Sequence, residues 1–128
     1  MAAYLLDTNA ALRLLVDPRG LKTAPLERSD AIIYCSAATS WEIAIKTRKG
    51  RLDGQALIAD WAATLETIGA EALTITAQDG ILAGSLEWEH RDPFDRMIVA
   101  QARSRGLTVA TSDRAILDSG LVGTLSLR

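Results

Sequence analysis

Ala3-Tyr4-Leu5-Leu6-Asp7-Thr8-Asn9, residues 3–9, is a short apolar run that stops abruptly at an aspartate. An unbroken apolar run of this length reads as a strand buried on both faces of a parallel sheet. Thr8 or Asn9 can cap a following helix that carries Ala11, Leu12, Leu14 and Leu15. The same order recurs downstream. Ala31 to Cys35 is a second strand-like run, after which Ser36 opens a helix through Trp41, Ile43 and Ile45 to Lys49, with Gly50 suited to its C-terminal cap. Leu107 to Thr111 is a third, ended by Ser112-Asp113 and a short helix to Leu117. Gln55 to Ile68 places Leu57, Ile58, Trp61, Leu65 and Ile68 on one helical face. Ala72 to Ile75 reads as a strand and Thr76 to Trp88 as a helix. Asp92-Pro93 opens another helix, which runs to about Ser104 and is stopped by Gly106; a last small strand covers Thr124 to Leu127. Strands alternating with helices predict an α/β fold with a parallel sheet covered on both faces.

Composition narrows the function classes. All 128 residues read as one domain, residues 1–128, and 48% hydrophobic against 23% charged residues excludes a disordered chain. Fourteen basic and sixteen acidic side chains give a net charge of −2, which excludes binding of nucleic acid by bulk positive charge. No apolar run approaches the roughly 18 residues that span a bilayer, and Asp7 interrupts any export signal, so the chain reads as cytoplasmic with no membrane role. One cysteine, Cys35, makes no internal disulfide, and with His90 the only histidine there is no zinc set.

The acids carry the chemistry. Asp7 follows the first strand and Asp113 follows the strand ending at Thr111, so both sit at the carboxyl edge of the sheet, where open α/β folds form their ligand crevice. A helix that precedes a parallel strand runs antiparallel to it, which brings Asp95, in the first turn of the Pro93 helix, to that edge. Glu42, early in the helix after the second strand, belongs there too. Asp95 shares a face with Ile98, Val99 and Ala102, and Glu42 with Ala38, Ile45 and Lys46. Carboxylates on core-facing stripes are costly unless neutralised. At about 4 Å and an effective dielectric near 20, each like-charge pair costs roughly 4 kcal/mol. Asp7, Glu42, Asp95 and Asp113 together therefore call for a hard divalent cation, Mg²⁺ or Mn²⁺, one ion or two. Taken singly, Asp7, Asp92 and Asp113 also suit helix capping, and Glu42 suits a pair with Lys46.

Substrate phosphates would meet arginine or lysine. Lys46, one turn from Glu42 on its face, is the first choice, with Arg96, Arg91 and Arg13 also expected near the rim. The basic cluster Lys46, Arg48, Lys49 and Arg51 also suits a helix C-terminus that stays solvated. Trp41, Trp61 and Trp88 read as core or interface residues before base-stacking ones. A phospho-acceptor receiver domain would want an acidic pair at the end of the first strand and a late lysine, whereas Thr8-Asn9 follows Asp7 and no lysine follows Lys49; an aspartyl-nucleophile hydrolase would want an acid where Asn9 stands.

Four blocks in order, Asp7-Thr8-Asn9, Ser40-Trp41-Glu42-Ile43-Ala44-Ile45-Lys46, His90-Arg91-Asp92-Pro93-Phe94-Asp95-Arg96 with Ile98-Val99-Ala100-Gln101-Ala102, and Thr111-Ser112-Asp113, resemble a PIN domain. The likeness is to the VapC-type toxins of bacterial type II toxin–antitoxin systems, and it covers Tyr4 to about Leu117. The resemblance implies a three-layer α/β/α sandwich around a parallel sheet of four to five strands. It implies a Mg²⁺-dependent ribonuclease that hydrolyses RNA phosphodiester bonds, a cognate antitoxin that blocks the site, and usually a homodimer. The family's acids fall on Asp7, Glu42, Asp95 and Asp113, its polar residue near the first acid on Thr8 or Asn9, and its hydroxyl before the last acid on Thr111 or Ser112. Asp92 matches the block without matching a metal ligand. Exposed apolar positions on the Gln55 to Ile68 helix would supply a dimer contact. The alternative is a non-catalytic PIN-fold module that binds RNA or protein.

Overall fold

The computed structural model describes residues 2–128. Five parallel strands, β1 (Ala2–Leu6), β2 (Ala31–Ser36), β3 (Ala70–Leu73), β4 (Thr108–Thr111) and β5 (Thr124–Ser126), form one sheet in the order β3-β2-β1-β4-β5. Around it lie α1 (Thr8–Val16), α2 (Ala37–Arg48), α3 (Gln55–Ala59), α4 (Trp61–Thr67), α5 (Ala77–Ser85), α6 (Pro93–Arg105) and α7 (Arg114–Leu117), with a 3-10 turn at Ala24–Glu27.

The period of a strand explains the layers. Leu5 and Val109 point to one face, where they are buried with Ala83, Leu86, Ile98 and Val99 from α5, α6 and the loop between them. Leu6, Cys35 and Ala110 point to the other, where Ala10, Ala11 and Leu65 from α1 and α4 cover them. Both faces of the central strands are dry, as parallel sheets require. None of the helices among the described residues is long and apolar enough to cross a membrane.

The chain moves outward from β1 to β2 and β3, then returns to the other side of β1 to lay down β4 and β5. Successive connections therefore diverge between β1 and β4, which leaves a crevice at the carboxyl ends of these two strands. Leu6 is paired in register with Ala110, and the Asp7 amide reaches the Ala110 carbonyl at 3.4 Å, so Asp7 and Asp113 enter from the two walls of one crevice.

Three local expectations shift. The single Gln55–Ile68 helix is two helices: Asp60 leaves helical geometry (φ −138°, ψ 86°) and its carboxylate accepts from the Ala63 amide at 3.2 Å, restarting the helix as α4. Apolar spacing stays in phase across such a break, so periodicity alone misses it. The third strand begins at Ala70, directly after Gly69 (φ 64°), two residues before the expected start. Ala70-Glu71-Ala72 has weak strand propensity, and β3 is an edge strand held by the β2 ladder from one side only. The helix after it ends at Ser85, short of Trp88. Gly106 stops α6 as its spacing implies, with φ 66° at the cap.

Candidate active site

Each acid at the rim is fixed by the element that delivers it. Asp7 caps α1, with one carboxylate oxygen accepting from the Ala10 amide at 2.8 Å, so the cap is Asp7 and not Thr8 or Asn9. Its second oxygen accepts from the Thr111 hydroxyl, and Thr111 Oγ1 in turn accepts from the Asp113 amide at 2.9 Å. Asp113 caps α7 through the Ala115 amide, also at 2.9 Å. Thr111 thus ties the two walls of the crevice together. On α6 the capping is done by Asp92, which accepts from the amides of Phe94 (2.9 Å) and Asp95 (3.1 Å). That frees the Asp95 carboxylate, which meets His90 Nε2 at 2.7 Å. Glu42 is buried on α2 and its Oε2 lies 2.8 Å from Lys46 Nζ.

The charges of these groups act on one another. Burial pushes the Asp7 carboxyl up to about 6; hydrogen bonds from Thr111 and the Ala10 amide oppose the shift, and the negative charges of Asp113 and Glu42 add to it. Burial likewise pushes Asp95 up to about 6, against the His90 bond and with repulsion from Asp92, Asp7 and Asp113. A carboxylate oxygen of Asp95, one of Asp113 and a ring nitrogen of His90 lie within 4.8 Å of one another. Oxygen-rich, partly buried and short of cationic partners, this set fits a hard divalent cation.

The remaining candidates divide. Thr111 lies inside the site, while Ser112 and the exposed Asn9 meet at its rim, Asn9 Nδ2 to Ser112 Oγ at 3.5 Å. Thr8 is buried, its hydroxyl 3.1 Å from that of Thr39, and joins α1 to α2. Lys46 is at the rim but engaged by Glu42. Arg96, expected near the rim, is engaged within the chain: its guanidinium donates to the carbonyls of Ala83, Leu86, Trp88 and His90 at 2.7–3.1 Å. The α5–α6 connection has no ladder partner, and an inward arginine satisfies its carbonyls. Arg13 also turns away, donating to the Asp17 carbonyl at 3.1 Å. Burial pushes the Cys35 thiol up to about 12, so it is no nucleophile. Trp61 and Trp88 pack against the two cores, as do Leu65 and Ile68, which leaves those positions of the expected dimer face inward. Trp41 is 58% exposed, edge-on to Phe94 at 4.9 Å, and with Ile75, Ala83 and Met97 lines an apolar groove of about 240 Å³; Trp41 and Phe94 directly precede Glu42 and Asp95 in the chain. His90 is the residue whose place the sequence left open. Its available signal was position, two residues before the cap of a helix that starts at the carboxyl edge.

Residues 4–119 match the family model of the PIN domain, and the chain belongs to that family. Solved structures share its fold. It is similar to VapBC2 from Rickettsia felis, bound to a promoter DNA fragment (TM-score 0.74, 16% identity, covering 98% of this chain and 99% of that chain). It is also similar to DNA-bound VapBC from Salmonella typhimurium (TM-score 0.69, 23% identity, all of both chains) and to VapBC-5 from Mycobacterium tuberculosis (TM-score 0.62, 21% identity, 100% and 99%). No curated protein matches the chain.

Proposed function

We propose that this chain is a Mg²⁺-dependent ribonuclease, the toxin of a toxin–antitoxin pair, working in the cytoplasm and inhibited by a cognate antitoxin. The observation that carries the reading is the gathering of acids at one rim: an oxygen of Asp95, one of Asp113 and a ring nitrogen of His90 lie within 4.8 Å of one another, and Thr111 links Asp113 to Asp7. Burial first, and the charges of neighbouring acids after it, raise Asp7 and Asp95 to about 6. A fold gains nothing in stability from such a cluster, whereas a cation-dependent site requires one.

Asp7 and Asp95 would hold Mg²⁺ directly, with Mn²⁺ able to substitute, and Glu42 and Asp113 would complete its surroundings. Such an ion lowers the pKa of the attacking water and offsets charge growing on the phosphoryl oxygens. The chain's own residues do the rest. Thr111 keeps Asp7 from rotating, Asp92 takes the capping duty that would otherwise occupy Asp95, and Lys46, Asn9 and Ser112 meet the RNA backbone at the open side. Similar structures are VapBC assemblies, one of them described as a member of the VapBC family of toxin–antitoxin systems, and the groove lined by Trp41 and Phe94, the chain neighbours of Glu42 and Asp95, is the surface we assign to an antitoxin. A homodimer would use a surface other than the inward faces of α3 and α4.

The test is RNA cleavage in Mg²⁺ by Asp7→Asn and Asp95→Asn. Each is expected to lose about 100-fold or more, the scale at which single electrostatic groups act in catalysis. Near wild-type cleavage by either variant overturns the ligand assignment. The melting point should also rise selectively in Mg²⁺ or Mn²⁺; the absence of any such rise favours the non-catalytic binding module.

A further inference from the structure

We infer that His90 is a ligand of the divalent cation, which makes the site a mixed imidazole–carboxylate one with a preference for Mn²⁺ over Mg²⁺. This rests on the cation-site reading above and adds a residue to it.

The geometry starts with spacing. Two ligands on adjacent positions of an octahedral ion, each about 2.1 Å from it, lie roughly 3 Å apart, and opposite ones roughly 4 Å. His90 Nε2 and Asp95 Oδ2 are 2.7 Å apart, and an Asp113 oxygen completes the trio within 4.8 Å. A cation can therefore take the place of the proton that His90 and Asp95 share, with small side-chain shifts. Rigidity is the second point. The His90 ring packs on Trp88 at a centroid distance of 4.7 Å, and the His90 carbonyl is gripped by Arg96 Nη1 at 3.1 Å. Arg96 grips the carbonyls of Trp88 and Leu86 as well, so the whole approach to His90 is clamped from behind. An imidazole that only filled a loop would not require this support, whereas a ligand must be oriented by the residues around it. The third point is chemical. Imidazole coordinates transition metals more readily than it does Mg²⁺, which favours oxygen donors and retained water.

The experiment is pulsed EPR on the untagged full chain loaded with Mn²⁺, with Mn²⁺ and Mg²⁺ affinities measured by calorimetry. His90 is the single histidine, so imidazole-nitrogen coupling to the ion can arise from this residue alone. The wild type should show that coupling and His90→Gln should lose it. Mn²⁺ affinity in the variant should fall about tenfold or more, with a smaller fall for Mg²⁺. Bound Mn²⁺ without nitrogen coupling in the wild type overturns the proposal and leaves the carboxylate site standing. Failure of the wild type to bind Mn²⁺ at all overturns the cation reading itself. Both of these outcomes are read on the wild type, so neither depends on how the variant folds.

Discussion

Two aspartates of this chain are both closed off from solvent and have opposite fates. Asp7, 2% exposed, lies among other acids and is raised to about 6; Asp79, 4% exposed, is held well below the usual carboxylate range. Deep burial dominates at Asp7, a guanidinium at Asp79. Arg105 meets Asp79 with both ends of its fork, Nη1 to Oδ1 and Nη2 to Oδ2, each at 2.9 Å. The Thr76 amide and Gln101 Nε2 complete the shell at 2.9 and 3.3 Å. Asp79 also closes a capping box with Thr76, so it starts α5 and pins it to α6. Where a buried carboxylate serves structure, this fold supplies a guanidinium from within the chain. At the carboxyl edge it gathers several carboxylates, where Lys46 meets Glu42 and His90 meets Asp95, and Arg128 Nη1 reaches the Ser112 carbonyl at 3.4 Å on the rim. On the proposed reading, charge left uncompensated by the chain is charge reserved for a cation.

Removing the partner at one site and the charge at the other should move stability in opposite directions. Arg105→Gln leaves Asp79 buried without its cation and is expected to cost about 3 kcal/mol, the low end for a broken buried pair. Asp7→Asn removes a charge whose pKa is raised from 3.8 to about 6, so the cation-free protein should gain up to about 3 kcal/mol at neutral pH while losing the proposed nuclease activity. Asparagine keeps an oxygen for the Ala10 amide, and Thr111 can reverse its hydroxyl. Denaturant melts in EDTA test the pair. If both variants are destabilised alike, the two aspartates are doing the same structural job and the contrast fails.

Acidification separates the two sites more gently. Asp7 and Asp95 have folded pKa values near 6 against 3.8 for the ordinary carboxyl, so between about pH 6 and pH 4 the folded chain binds protons that the unfolded chain does not. Stability of the cation-free protein therefore rises as pH falls through 6, and the gain is complete near 4. Asp79 has the reverse sign: its contribution is intact above the ordinary carboxyl value and is lost only below it. Calorimetry in EDTA should give a higher melting temperature at pH 5 than at pH 7.5, and Asp7→Asn should remove much of the rise. Saturating Mg²⁺ should flatten or invert the trend, because cation binding requires deprotonated ligands. A cation-free melting point that falls steadily from pH 7.5 to 5 contradicts this account of the rim.

The two regions also differ in how far the sequence reveals them. Asp7 and Asp113 are legible because each ends an apolar strand, and Asp95 because a proline fixes where its helix begins; topology then brings all three to one edge. Asp79 and Arg105 are twenty-six residues apart on two helices, and their meeting depends on how α5 packs on α6, which no spacing encodes. Arg96 is misplaced by sequence reasoning for a related cause. An arginine next to an acid at a rim reads as a substrate contact, but the carbonyls of an unpaired loop are equally strong acceptors and lie closer. The break at Asp60 is hidden because a helix that stops and restarts can keep its apolar face in phase.

Lys46 carries the smallest and most diagnostic effect. Its pair with Glu42 at helical i,i+4 spacing, 2.8 Å long, is worth about 0.5 kcal/mol at a half-exposed site, so Lys46→Met should scarcely change the melting point in EDTA. Its effect on ligands should be larger and should divide by type. Lys46 now neutralises Glu42, so replacing it frees that carboxylate for the cation, and Mg²⁺ affinity measured by calorimetry should rise a few-fold. RNA affinity should fall over the same comparison, since a positive charge facing phosphate is lost. A drop in both affinities would mean that Glu42 needs Lys46 to hold its rotamer. A rise in both would mean that Lys46 never meets RNA, and the basic contact must then be sought among the arginines, beginning with Arg128 beside Ser112.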